Sequence, residues 1–454
     1  MAGPGMAADQ ASAAVPGGEP ARRGPSRLLA AALAGVAIEA CLVALVMLGD
    51  LSLQIIPFLI LFGMSMVLCV GSFAVLRGHR DPRSRCLILG VAVLLRLTLL
   101  PAAPTLSDDI YRYLWEGRLV LAGENPYQLP PSAEELEHLR DTRHSRINHP
   151  ELTTIYPPAA QLVFAISQLL SPRPWSMKLL ALLADLGLVL LLERLLLERG
   201  TDPANLVLYA WHPLPIIELS GSGHIDGIAI ASMVAALLLL ARRRRCWSVV
   251  LLALSALTKL FTLALIPTWA QRVGWPRVLG LTASLALVAY LPFARAGRGL
   301  VGTSMVYAET WRFNGSLFDL LALVLGSGEG ARIVDCLAFA AAAAVLPMRG
   351  RDPVRIAAAL TMLFILLSPT VHPWYVLWVL PFVCLRPSAA WLWLSGAVAL
   401  AYLTLGAFVT TGVWREVPGV RLIEYGPFAL LLALETLRRG RRPEPGDALP
   451  DGLA

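Results

Sequence analysis

Long apolar runs, repeated from one end of the chain to the other, decide what it can fold into. They lie near residues 27–49, 51–76, 85–103, 177–196, 204–219, 225–241, 247–270, 277–293, 330–347, 353–369, 374–386, 389–411 and 422–437. Most approach the ~20 residues that cross the roughly 30 Å hydrocarbon core of a bilayer. In hydrocarbon every backbone N–H and C=O must be satisfied internally, so such runs fold as helices. The chain is 57% hydrophobic and 15% charged, against about 25% charged in soluble domains. These features predict an all-α polytopic membrane protein with about 12–14 transmembrane helices.

The first run follows Arg22, Arg23 and Arg27 and is too long for a signal-peptide core, so it should stay as an anchor. Residues 1–26 and 438–454 are expected to be disordered cytoplasmic tails on a single transmembrane domain, 27–437. The six cysteines form no CxxC pair and suggest neither zinc nor a disulfide framework.

Positive charge fixes the expected sidedness. The net charge of +7 comes largely from connectors: Arg22/Arg23, RGHRDPRSR (77–85), RRRR (242–245), MRGRDPVR (348–355) and RRGRR (438–442). These should be cytoplasmic, holding both termini inside, and they do not imply a nucleic-acid partner. Threading the runs then puts 104–157, SGSGHIDG (220–227), 294–316 and SPTVHPWY (368–375) on the opposite face. Two places strain the count. PPAAQLVFAISQLLSP (157–172) is short for a span and reads as re-entrant or interfacial. The run 247–270 must begin and end inside, which requires a break near Lys259.

The stretch SDDIYRYLWEGRLVLAGENPY (107–127) carries the densest chemistry. From Asp109 onward the pattern is helical: Ile110, Tyr113, Leu114, Gly117 and Leu121 share a face, and Arg112, Trp115 and Glu116 point elsewhere. A helix lying at the membrane interface fits this pattern. Ser107, Asp108 and Asp109 read equally as a cap with first-turn acids. The two readings are compatible, because Asp108 can cap while Asp109 works. A partly desolvated carboxylate beside a like charge is suited to act as a base. Arg112 is placed to pair with either acid or to hold a phosphate. Downstream, Ser132 to Glu135 has a capping-box pattern. Asn148, His149 and Tyr156 flank prolines that fix the backbone, although a lone histidine is more often structural than catalytic.

Lys259 interrupts LLALSALTKLFTLALIP; a charge there costs about 2.5–3.5 kcal/mol unless it finds an anion, water or an interface. A lipid phosphate is a natural counter-ion, and snorkelling is the plainer reading. His372 stands at a proline-marked turn among Trp374, Tyr375 and Trp378, which an aromatic belt alone would also explain. Trp311, Arg312 and Asn314 in ETWRFNGS are candidates for holding a sugar or phosphate. His212, His224, Asp226 and His372 lie toward one face without a sequence-local metal pattern, so no metal is expected. There is no GxxxxGK[ST] loop and no GxGxxG after a strand, which argues against a nucleotide-driven pump.

Taken together, SDDIYRYLWEGRLVLAGENPY, TIYPPAAQLVF, ADLGLVLLLERL and HPWYVLWVLPF resemble the GT-C-fold glycosyltransferases. The closer likeness is to bacterial polyprenyl-phosphate-mannose-dependent α-mannosyltransferases, and a more distant one is to the catalytic subunit of GPI mannosyltransferase I. The resemblance covers about residues 85–385 and leaves out the two N-terminal spans. It implies a GT-C-like fold in the bacterial inner membrane with an extracytoplasmic active site. It also implies an inverting transfer of a hexose, most often mannose, from a polyprenyl-phosphate donor to a lipid, glycan or protein acceptor. Asp109 would be the general base, with Asp108 as fallback, and His372 and Lys259 would lie near the donor phosphate. No cofactor is implied, the lipid-linked sugar being a substrate. Two other classes remain open: a transporter or flippase of lipid-linked sugars, for which internal repeats are expected, and a non-enzymatic assembly subunit.

Overall fold

A computed structural model describes residues 23–79, 81–350 and 352–440. The expected tails fall outside the described residues, except that the first helix already begins at Arg23 and the last runs to Gly440. The regular elements of the described residues are helices: α1 (Arg23–Leu48), α2 (Ile55–Leu76), α3 (Pro82–Leu99), α4 (Asp109–Leu121), α5 (Pro158–Leu170), α6 (Pro174–Glu198), α7 (Asp226–Ala241), α8 (Arg245–Thr258). Further on come α9 (Trp275–Ala296), α10 (Gly299–Thr310), α11 (Leu317–Leu325), α12 (Gly328–Met348), α13 (Pro353–Leu367), α14 (Ala389–Thr411) and α15 (Val420–Gly440).

Among the described residues, α2, α9, α12, α14 and the Ser26–Leu48 stretch of α1 are long and apolar enough to cross a membrane. Five shorter apolar helices include α5, α7, α8 and α13. Leu29, Val36, Met47 and Val67 on α1 and α2 are 61–82% exposed, the pattern of a surface solvated by lipid tails rather than water. The protein is an all-helical, multi-pass membrane protein.

Two expected spans are not continuous helices. The run 204–219 follows Pro203, is interrupted by Pro213 and Pro215, and folds as short turns that end in a π-helical turn, Ile216–Gly221. Proline lacks the N–H that a continuous helix would use. This segment is tolerated because it is wrapped by protein, with Val207 to Ile216 all buried. The run 247–270 breaks at Lys259, whose backbone is extended (φ −144°, ψ 120°) between α8 and a 3₁₀ segment, Leu260–Leu265. The break that connectivity required is therefore present at that residue.

The two ends of the bundle differ. At one end the arginine-rich connectors meet: Asp202 accepts from Gly78 N–H (2.6 Å), Arg242 pairs with Glu198 (2.6 Å), Arg199 pairs with Asp352, and Arg272 reaches Gly350 O. Helices α3, α8 and α13 start at this end and lead to Leu99, Lys259 and the turn before His372, whereas α6 and α7 run back to it. In the last turn of α3, Arg96 bonds Asp185 of α6 at 2.7 Å, with both side chains fully buried, and Tyr209 donates to the second carboxylate oxygen. Removing one member of a buried pair costs about 3–5 kcal/mol, so this pair fixes how α3 and α6 present their far ends.

Candidate active site

At the far end, residues from distant parts of the chain line a cavity of about 760 Å³. Asp108, Asp109, Arg112, His149, Tyr156, Lys259, Trp311, Arg312 and His372, all singled out from sequence, border it. Asn314 does not. It is buried, sits in the left-handed region (φ 53°), and donates to Glu424 Oε2 of α15 at 2.7 Å. It holds the 310–316 loop in place and leaves no side-chain atom to the cavity wall.

Helix α4 delivers the acids. Ser107 Oγ accepts from Asp109 N–H (3.3 Å), whereas Asp108 makes no side-chain cap. Asp108 lies on the exposed rim; partial desolvation raises its carboxyl, Arg146 opposes this, and Asp109 adds to it. Asp109 is 20% exposed in its side chain and faces the cavity, with Oδ1 accepting from Asn148 Nδ2 at 3.0 Å. The Tyr156 hydroxyl stands 3.5 Å from its Oδ2 and His224 Nδ1 3.9 Å from the same oxygen.

The rest of α4 corrects the expectation of an interfacial helix with one exposed face. Arg112, Trp115 and Glu116 are as buried as Ile110 and Tyr113, and only the C-terminal Leu121 is largely exposed. Arg112 neither pairs with the acid doublet nor offers a free donor edge. Its Nε donates to Glu116 Oε1 (2.6 Å), Nη1 to His149 O (3.1 Å) and Nη2 to Leu152 O (2.6 Å). The second Glu116 oxygen accepts from Thr154 Oγ1 and Gln161 Nε2, each at 2.7 Å. This buried network pins segment 148–156 against α4 and so places Asn148 and Tyr156 around Asp109. Close helix contact does the same for α5: a Cβ on Gly117 would lie 2.2 Å from Phe164 O. The expected capping box at Ser132 is absent; Ser132 N–H donates to Pro150 O and a 3₁₀ turn starts at Glu134.

The opposite wall is aromatic and cationic. The loop after α10 and the turn before His372 pair through a short bridge, with Phe313 N–H donating to Pro369 O (3.0 Å) and Val371 N–H to Phe313 O (2.8 Å). Phe313, His372, Trp374 and His224 follow as successive stacked rings, centroids 5.0, 4.4 and 4.1 Å apart. Desolvation within this stack lowers His372 to about 4, so it is neutral at pH 7. The ammonium of Lys259 is 3.3 Å from Asp226 Oδ2 and 5.4 Å from the Tyr375 ring centroid, and Trp378 Nε1 donates to the other Asp226 oxygen. Arg312 is paired with Asp319, and Trp311 stacks on Tyr307 with its edge toward the exposed His149. His149 itself has a left-handed backbone (φ 44°). His212 lies away from this group, buried and bonded to Ser395.

Sequence reasoning missed Glu116, Thr154, Gln161, Glu218, Tyr307 and Tyr402. The ionisable Glu218, inside an apolar run, was the one legible signal among them.

Fold and site together define a membrane enzyme with one polar chamber at the end of a helix bundle, a carboxylate on one wall and aromatics with a lysine on the other. The sequence model of the alpha-(1->6)-mannopyranosyltransferase family (MptA/B), N-terminal domain, matches residues 21–273. The chain belongs to this family and is a hexosyltransferase of the mannosyltransferase type. The match includes α1 and α2, which the motif resemblance had left out. No curated protein matches the chain. Among solved structures it is similar to ArnT from Cupriavidus metallidurans bound to undecaprenyl phosphate, at 17% identity over 79% of this chain and 78% of that chain, with a TM-score of 0.43.

Proposed function

We propose that this enzyme transfers mannose from a polyprenyl-phosphate carrier to a hydroxyl of an extracytoplasmic acceptor by a single inverting displacement, within a GT-C-like fold in the bacterial cytoplasmic membrane. The observation that carries the reading is Asp109. It is partly exposed, aimed into the cavity and oriented by Asn148. A base must reach the proton it removes, and this carboxylate borders the cavity with Oδ1 held by Asn148 and Oδ2 in a long 3.5 Å contact with the Tyr156 hydroxyl that an incoming hydroxyl can replace.

In this reading the acceptor oxygen attacks the anomeric carbon, its proton goes to Asp109, and the sugar–phosphate bond breaks with its electron pair on the phosphate. Inversion that yields an α-mannoside requires a β-linked donor. The family's linkage makes the acceptor group a primary 6-hydroxyl. Charge developing on the phosphate is met by Lys259, and neutral His372 serves as a hydrogen-bond donor rather than a cation. Trp311 and Tyr307 offer a flat aromatic face to a sugar.

A lipid carrier is supported by a second feature. An apolar groove of about 1520 Å³ lies between α11 and α15, and Arg312 lines both it and the cavity. Arg312, Asp319 and Arg421 are its charged residues, with Arg421 Nη1 2.5 Å from Asp319. An isoprenoid tail in the groove would bring its phosphate to the Arg312 end. The deciding experiment incubates purified enzyme with labelled polyprenyl-phosphate mannose and an alkyl mannoside. New glycoside is expected from the wild type and none from Asp109→Asn of equal thermal stability. Near-normal turnover by that variant removes Asp109 as the base, and labelled lipid that only changes leaflet favours a transporter.

A further inference from the structure

Behind Asp109 lies a row of ionisable groups for which the displacement described so far has no use. His224 is 1% exposed and Glu218 is fully buried. Neither ring nitrogen of His224 has a hydrogen-bond partner, and Glu218 Oε2 has none either. Buried polar atoms left open in this way call for an explanation. The ring lies flat on Trp374, 4.1 Å between centroids and 18° from parallel, which sets its plane. Its backbone is equally fixed: Gly223 has φ +78°, and a Cβ there would meet Ile110 Cδ1 at 2.9 Å.

Held this way, the imidazole has a carboxylate at each nitrogen. Nδ1 faces Asp109 Oδ2 at 3.9 Å and Nε2 faces Glu218 Oε2 at 3.3 Å. Glu218 is itself fixed, its other oxygen accepting from the Tyr402 hydroxyl at 2.6 Å. It sits in the π-helical turn Ile216–Gly221, a distortion that costs helix geometry and recurs at functional sites. Tyr402, like Asp109, lines the cavity. The row Asp109–His224–Glu218–Tyr402 therefore leaves the cavity at one wall and returns to it at another.

We infer that His224 and Glu218 are positioning residues that relay the proton taken from the acceptor. This rests on Asp109 being the base. As the new glycosidic bond forms and the sugar–phosphate bond breaks, the hydroxyl proton passes to Asp109 and then to His224 Nδ1. The imidazolium rests between the Asp109 and Glu218 carboxylates until the proton returns to water as product leaves. The 3.9 Å gap closes when the acceptor hydroxyl draws the carboxylate into line, catalytic contacts being commonly long before substrate binds. The other ionisable groups near the ring are Asp226 and Lys259, paired with each other, and His372 across Trp374, while Tyr113 and Tyr156 flank Asp109.

The test compares His224→Gln, Glu218→Gln and Asp109→Asn in the full-length enzyme. It measures kcat, KM for polyprenyl-phosphate mannose, and kcat against pH with an alkyl mannoside acceptor. The expected result is an inactive Asp109→Asn and a kcat lowered about tenfold or more in the two relay variants. Their donor KM should stay within about threefold, and the acid limb of their kcat profile should move, because each variant removes an ionisable group from the row behind Asp109. If Asp109→Asn is inactive but both relay variants keep the wild-type pH profile, the relay is overturned and the base stands. A loss confined to KM or melting temperature, with an unmoved profile, likewise overturns it in favour of a packing role. Near-normal Asp109→Asn sinks both readings. Should His224→Gln fail to fold, Glu218→Gln carries the same prediction alone.

Discussion

The Lys259 ammonium lies 3.3 Å from the buried carboxylate of Asp226, at the residue where helix α8 ends. The lysine read as needing an anion, water or an interface has a counter-ion within the protein. Lys259→Met should leave Asp226 uncompensated in a setting only 1% exposed, at a cost on the order of 3 kcal/mol. A fall in melting temperature of the detergent-solubilised protein would report it. Adding Asp226→Asn should restore most of the stability but not turnover, which separates the structural role of the pair from phosphate stabilisation.

Arg112 illustrates the opposite case, a cation at the cavity whose donors are spent on the fold. Glu116→Gln should free Arg112 and loosen segment 148–156, exposing its amides to hydrogen exchange and lowering kcat through Asn148. Donor KM should change little. A rise in donor KM as the main effect would return Arg112 to the phosphate site.

Gly117→Ala tests the close seat of α4 on α5. A methyl group 2.2 Å from Phe164 O cannot be accommodated without separating the helices. Overpacking of this kind costs about 1–3 kcal/mol. Both melting temperature and kcat should fall; an unchanged variant would show that the helices slide at no cost.

The groove between α11 and α15 can be blocked without touching the cavity. Ala429→Trp places an indole on its floor. KM for a long-chain polyprenyl donor should rise about tenfold or more while a short-chain analogue is used as before. Equal effects on both donors would count against the groove as the tail site.

His372 gives a pH prediction with a definite sign. Its folded value near 4 lies below the ~6.5 of an unfolded histidine. Between those values the unfolded chain binds the extra proton, so the histidine's contribution to stability is present above about 6.5 and shrinks as pH falls toward 4. His372→Gln should flatten that part of the stability profile and leave the shape of kcat between pH 5 and 8 unchanged.

Much of this was legible because membranes write their constraints in composition. Apolar runs and arginine connectors gave the helices, and the parity of spans located the break at Lys259. Threading by charge put Asp109, Tyr156 and His372 at one end, and the family resemblance added Lys259 to them. What escaped were choices of partner. Whether Arg112 turned to Asp108, Asp109 or Glu116 depended on carbonyls nearly forty residues away, at His149 and Leu152. The run 204–219 looked like a span because burial in protein and burial in lipid select the same side chains, and only its prolines, His212 and Glu218 dissented. Glu218 was passed over for the same reason: nothing local announces that Tyr402, far along the chain, is bonded to it.

The Phe313–Thr370 bridge ties loops from distant parts of the chain into one cavity wall. An insertion in either loop, or a chain break between them, would unfasten that wall from both sides at once. Any exchange of segments with a relative therefore has to carry both strands of the stitch together.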